Sequence, residues 1–160
     1  MSNVLVIGDT HAPVMHDDYV DFLCEIRDAW NCDRIVNIGD LVDWASISYH
    51  PKAPSLKNSE EEFDNAYKQV QSLYQAMGKN VTWLVGNHDA LTERQATDLG
   101  LPLKVLKEYD ELWGVDGWTV IPRYGGITID GVLYQHGDRG KGGRMAAANN
   151  AKAEFCSVVQ

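Results

Sequence analysis

Val4-Leu5-Val6-Ile7-Gly8-Asp9-Thr10-His11 sets the pattern from which the fold is read: a short apolar run ends in Gly-Asp, with a histidine close behind. The pattern recurs. Ile35-Val36-Asn37-Ile38 runs into Gly39-Asp40-Leu41-Val42-Asp43, and Val81-Thr82-Trp83-Leu84-Val85 runs into Gly86-Asn87-His88-Asp89. A fourth run, Gly131-Val132-Leu133-Tyr134-Gln135, delivers His136-Gly137-Asp138. In open α/β sheets, ligands bind in the crevice at the carboxyl ends of the strands, where side chains from neighbouring strands meet. Oxygen and imidazole donors gathered there read as a metal site. A glycine before each Asp or Asn is expected to let the backbone turn sharply as the strand ends.

Working outward, residues 17–30 read as a helix, because Val20, Leu23, Ile26 and Trp30 recur at helical spacing. The next strand starts at Arg34, so this is a strand–helix–strand unit with parallel pairing. Residues 44–58 have no period and contain Pro51 and Pro54, and an irregular stretch of that length in a compact domain points to function. Ser59 and Glu62 have capping-box spacing ahead of an apolar stripe of Phe63, Ala66, Tyr67, Val70, Leu73, Tyr74 and Met77, with Gly78 as the stop. Residues 92–99 and 101–112 read as short helices. Residues 118–122, 126–130 and 132–135 read as strands of an antiparallel half, with Asp130-Gly131 as a two-residue hairpin turn. A helix over 145–155 and the start of a strand from Cys156 follow. Trp44 and Tyr49 are expected to pack in the core, and His16 to lie in an exposed loop.

The 160 residues fit one α/β domain with two sheet halves. A net charge of −9 argues against strong non-specific binding to nucleic acid or to an anionic membrane. Three cysteines with no Cys-x-x-Cys pair give poor support to disulfides or a zinc-thiolate site. The first strand begins near Asn3 and no apolar run approaches the ~20 residues of a membrane helix. The expectation is a cytoplasmic protein without a membrane partner; nothing in the chain points to a particular oligomer.

Asp9, His11, Asp40, Asn87 and His136 make a mixed oxygen and nitrogen donor set. Imidazole with carboxylate and no thiolate favours manganese, iron, zinc or nickel over calcium or magnesium. A carboxylate can bridge two ions ~3.5–4 Å apart, and such a pair polarises a phosphoryl oxygen and makes hydroxide available near neutral pH. The leaving oxygen then needs a proton or charge partner, a task for a histidine that is not a ligand. His88 is the candidate, with Asp89 beside it to orient the ring. Arg139, Lys141 and Arg144 lie in a Gly-rich turn after His136, where they could hold a phosphate or form a solvated basic turn. His50 lies in the candidate substrate loop.

Gly8-Asp9-Thr10-His11, Gly39-Asp40-Leu41-Val42-Asp43, Gly86-Asn87-His88-Asp89 and His136-Gly137 resemble, in order, the first four motifs of the calcineurin-like metallophosphoesterases. The resemblance implies a four-layer α/β/β/α sandwich with mixed sheets and a dinuclear site holding two divalent ions, manganese foremost. It implies that Asp9 and His11 bind the first metal, that Asp40 bridges both, and that Asn87 and His136 bind the second. His88 would be the catalytic histidine, Asp89 would hold it, and Asp43 would support the site from behind. The substrate would be a phosphate ester, with a nucleotide or nucleic acid among the candidates.

The chain departs from that pattern twice. Trp44-Ala45 follow Asp43 where the protein phosphatase branch has Arg-Gly, which favours the phosphodiesterase-like branches. The family's closing Gly-His-x-His would come on the strand that starts at Cys156, and the sequence reaches Gln160 without it. The expectation is a single domain over 1–160, truncated at its C-terminus. Two readings of function follow: a metal-dependent phosphoesterase acting on phosphodiesters, or a non-catalytic metal- or phosphate-binding module, including an incomplete enzyme that needs the missing histidines.

Overall fold

A computed structural model describes residues 1–50, 58–139 and 145–160. Four parallel strands, β1 (Val4–Ile7), β2 (Arg34–Asn37), β3 (Val81–Leu84) and β4 (Thr119–Ile121), form one sheet in the order β1-β2-β3-β4. Their registers include Val6 opposite Val36, Val36 opposite Thr82, and Trp83 opposite Val120. Helices α1 (Tyr19–Ala29) and α2 (Ser59–Met77) make the first two crossovers; α3 (Leu91–Asp98) and α4 (Tyr109–Trp113) lie in the third. The second sheet holds β5 (Gly126–Ile129), β6 (Val132–Gln135) and β7 (Ser157–Val159), with α5 (Ala146–Glu154) before its last strand. β5 pairs antiparallel with β6, and β6 parallel with β7.

The expected α/β class with mixed sheets is what the chain adopts. The hairpin at Asp130-Gly131 forms as expected, with φ 49° and 82° at the two residues, as a two-residue turn of this kind requires. The expected antiparallel second half is corrected at β4. The crossover through α3 and α4 returns the chain in the direction of β3, and the Trp118 indole N–H donates to Gly78 O at 2.8 Å, so the strand extends the first sheet.

The first sheet is buried on both faces. One face packs Leu5, Ile7 and Trp83 with Leu23 of α1, Val70 and Leu73 of α2, and Trp113. The other meets the second sheet through Val36, Ile38, Leu84 and Tyr134. Double burial explains why the strands read as nearly continuous apolar runs.

Two local expectations shift. The N-cap of α2 is Asn58, whose side chain accepts from Glu61 N–H at 3.2 Å. Glu62, expected in a capping box with Ser59, instead accepts from the backbone N–H groups of Ala45 and Ser46 at 2.6 and 2.9 Å. Asn caps as well as Ser does, so the cap moves one residue back and frees Glu62 to pin the loop after Asp43. The helix expected over 101–112 is broken into a 3₁₀ turn at Leu103–Val105 and α4, because Pro102, Leu106 and Glu108 are extended.

Candidate active site

The loops after β1 and β2 are zipped together. His11 N–H donates to Asp40 O (2.9 Å), Ala12 N–H to Leu41 O (3.0 Å) and Asp43 N–H to Ala12 O (3.0 Å), while the Thr10 hydroxyl donates to Leu41 O at 2.8 Å. This ladder sets His11 beside Asp40 and Asp43. His11, Asp40 and Trp44 all have positive φ, between 45° and 52°. Such values are uncommon outside glycine and concentrate at functional sites.

The preceding glycines act differently from one another: a backbone that favours glycine, as expected, is found at Gly39 and not at Gly8 or Gly86. Gly39 does have φ 108°, and a Cβ there would also meet Leu84 O at 2.8 Å. Gly86 lacks a positive φ; a Cβ on it would overlap the Asp40 carboxylate and backbone and approach His136 Cε1 to 2.9 Å. Gly8 has neither constraint, its nearest neighbour being Ile38 Cδ1 at 3.8 Å.

Asp40 is 5% exposed and sits at the centre. Its Oδ1 accepts the His88 backbone N–H at 2.8 Å. Its Oδ2 faces Nε2 of His11 at 3.7 Å and Nε2 of His136 at 3.4 Å. The far nitrogen of each ring is engaged: His11 Nδ1 donates to Asp43 Oδ1 at 2.9 Å, and His136 Nδ1 to Ile38 O at 2.9 Å. With Nδ1 engaged in this way, Nε2 is the nitrogen that each ring turns toward the anionic oxygen. His136 Nε2 also lies 3.0 Å from Asn87 Oδ1, a further lone-pair oxygen. Imidazole nitrogens converging with carboxylate and amide oxygens are a donor set that suits divalent metals.

Among the described residues, candidate ligands fall into two groups that share Asp40: Asp9 with Asp40 and His136, and His11 with Asp40 and His88. Asp9, expected with His11 on the first metal, groups here with Asp40 and His136, and Asp40 is common to both groups.

The expected partner of His88 is corrected. His88 Nδ1 donates to Asp43 O at 2.8 Å and lies 3.1 Å from Asp43 Oδ1. The Asp43 carboxylate raises the imidazole to about 9, and its own carboxyl is held below the ordinary range mainly by His88. The His11 and His88 rings meet edge-on at 4.7 Å. Asp89 does not touch His88. It is fully buried and accepts N–H groups from Gly86 (2.8 Å), Val42 (3.1 Å) and the Trp83 indole (3.2 Å), stapling the third loop to the second. Burial pushes its carboxyl up to about 6 against the pull of those donors.

Of the remaining candidates, His50 is exposed and stays outside this cluster; its backbone N–H meets Ser48 Oγ at 3.3 Å. Arg139 is exposed beside Tyr124. Lys141 and Arg144 lie outside the described residues. His16 is exposed, as expected. Trp44 packs on Phe63 and Trp113, as expected. Tyr49 does not: it is 50% exposed and its hydroxyl donates to Asp98 at 2.5 Å, because Glu62 and Gln95 hold the loop out along α3. Sequence reading also missed Arg123, whose Nε lies 2.7 Å from Asp138 Oδ2; the turn Pro122-Arg123-Tyr124-Gly125 carried the only signal.

No helix among the described residues is long and apolar enough to cross a membrane. Among solved structures, the nuclease MPE of Pseudomonas putida is similar to this chain at 15% identity and a TM-score of 0.40. The match covers 88% of this chain and 56% of that one, so the chain spans little more than half of the nuclease's length. No curated protein matches it. The calcineurin-like phosphoesterase family matches residues 2–150, which takes in all four strand-end motifs and the donors built on them. The chain belongs to the calcineurin-like phosphoesterase family.

Proposed function

We propose that the protein hydrolyses phosphodiesters with two divalent ions held by Asp9, His11, Asp40, Asn87 and His136. Asp40 stands between the two ions in this reading, and manganese is the first choice, with iron, zinc or nickel also suited to the donors. The observation that carries the proposal is the convergence of the Nε2 atoms of His11 and His136 on one buried carboxylate oxygen. When bound, such ions polarise a phosphoryl oxygen and lower the pKa of water enough for attack near neutral pH.

The protein's own groups prepare that chemistry. Ile38 O and Asp43 fix the two ring tautomers. The His88 N–H holds Asp40 Oδ1, leaving Oδ2 for the crevice. His88 keeps its proton at Nδ1 on Asp43 and presents Nε2 as a donor to the phosphate or to the leaving oxygen. Trp44-Ala45 after Asp43 supports a diester over a phosphoprotein. The reading takes residues 1–160 as part of a single domain and the helix α5, which adjoins β7, as the outermost of four layers.

Asp40→Asn or His88→Ala should abolish manganese-stimulated hydrolysis of an aryl phosphodiester. Unchanged activity in His88→Ala would remove it from the mechanism. Metal binding without turnover on any ester would favour the non-catalytic module.

A further inference from the structure

The turn Pro122-Arg123-Tyr124-Gly125 leaves β4 at the rim from which Asn87 and His88 project, since Val85 N–H donates to Ile121 O at 2.9 Å. Gly125 N–H closes the turn on Pro122 O at 2.9 Å, and Tyr124 in its third position has φ 68°. Glycine or asparagine is the usual residue there. Tyr124 is 46% exposed, so burial does not explain its presence. Two guanidiniums flank it, Arg123 at 4.6 Å and Arg139 at 5.8 Å from the ring centre. Arg123 is balanced by Asp138, and that pair ties the turn to the chain two residues beyond His136. Arg139 is exposed, and among the described residues no ion pair engages it. A free cation and a strained, exposed aromatic thus stand beside the phosphoester site of a chain with net charge −9.

We propose that Tyr124 and Arg139 form a subsite for the phosphate next to the scissile one in a single strand of nucleic acid. The inference rests on the phosphoesterase reading above. An arginine leaning on an aromatic ring keeps its in-plane N–H fork free for two phosphate oxygens. Aromatic rings interleaved with cations are how proteins track a single strand. Arg139 is three residues from His136, at most about 11 Å along the backbone, and its guanidinium lies over Tyr124, in the turn that follows β4. A phosphate gripped there is therefore a neighbour of the reacting one.

The test uses metal-stripped protein and a fluorescein-labelled hexathymidylate, read by anisotropy over a salt series. Tyr124→Gly and Arg139→Gln should each weaken binding about tenfold. Arg139→Gln should also reduce the slope of log affinity against log salt by about 0.7, the loss of one strand phosphate contact. Glycine suits the turn, so Tyr124→Gly should keep the wild-type Tm and separate lost binding from lost folding. With manganese, both variants should lower the ratio of kcat/KM for hexathymidylate to that for an aryl diester. Unchanged affinity in both variants overturns the subsite. Equal displacement of the labelled oligomer by inorganic pyrophosphate overturns its assignment to a strand. Should the wild type hydrolyse neither substrate, the phosphoesterase reading fails, and the anisotropy result alone decides the subsite.

Discussion

One carboxylate oxygen of Asp43 serves two imidazoles, lying 2.9 Å from Nδ1 of His11 and 3.1 Å from Nδ1 of His88. A single side chain therefore sets the tautomer of a candidate metal ligand and the charge of the candidate acid. Asp43→Asn should lower activity about 10–100-fold, the usual effect of removing such a support. It should also bring the His88 imidazole down toward its ordinary 6.5. Histidine NMR titration checks this; an unmoved His88 resonance would count against the assignment.

The same pair predicts a pH dependence of stability in metal-free protein. His88 is raised from 6.5 to about 9 on folding, so its contribution is fully present below pH 6.5 and is lost as pH rises through about 9. The urea midpoint should fall across that interval, and less so in His88→Gln. Divalent ions repel an imidazolium, so metal loading should move the transition to lower pH.

Asp89 is predicted to matter for folding and not for the charge of His88. Asp89→Ala strands the N–H groups of Gly86, Val42 and Trp83 in the interior. At ~1–3 kcal/mol for a buried donor left unpaired, the loss should be roughly 3 kcal/mol or more, read from denaturant unfolding. A His88 titration in this variant that shifts as far as in Asp43→Asn would revive Asp89 as the partner.

The glycines separate space from backbone freedom. Gly8→Ala has open space and should change stability by no more than ~0.5 kcal/mol. Gly86→Ala drives a methyl into Asp40 and should abolish metal binding and activity together. Isothermal titration with manganese compares the two, and equal behaviour would contradict the packing described.

Metal affinity offers a fifth test. Asp40 belongs to both ligand groups, so Asp40→Asn should weaken both ions at once, whereas Asn87→Ala should weaken one. Elemental analysis that finds both ions lost in Asn87→Ala would refute that.

The parallel sheet and the ligand crevice were legible because strands buried on both faces must be apolar throughout, and the polar residues that end them stand out. β4 was not legible as part of that sheet: three residues carry no direction, and only the crossover through α3 and α4 with the Trp118–Gly78 bond decides it. The cap of α2 moved by one residue because Asn58 and Ser59 are near-equal caps, and Glu62 found better donors in Ala45 and Ser46.

The sequence by itself determined which residues reach the crevice, since Asp9, His11, Asp40, Asn87, His88 and His136 each follow a recognisable strand. It could not determine who touches whom there. Asp89 is adjacent to His88 along the chain, yet its side chain turns inward to three buried N–H groups, while Asp43, forty-five residues earlier, takes the ring. Sequence adjacency at a strand end sends successive side chains in different directions, so partnership was decided by the docking of one loop on another, which only the tertiary structure supplies.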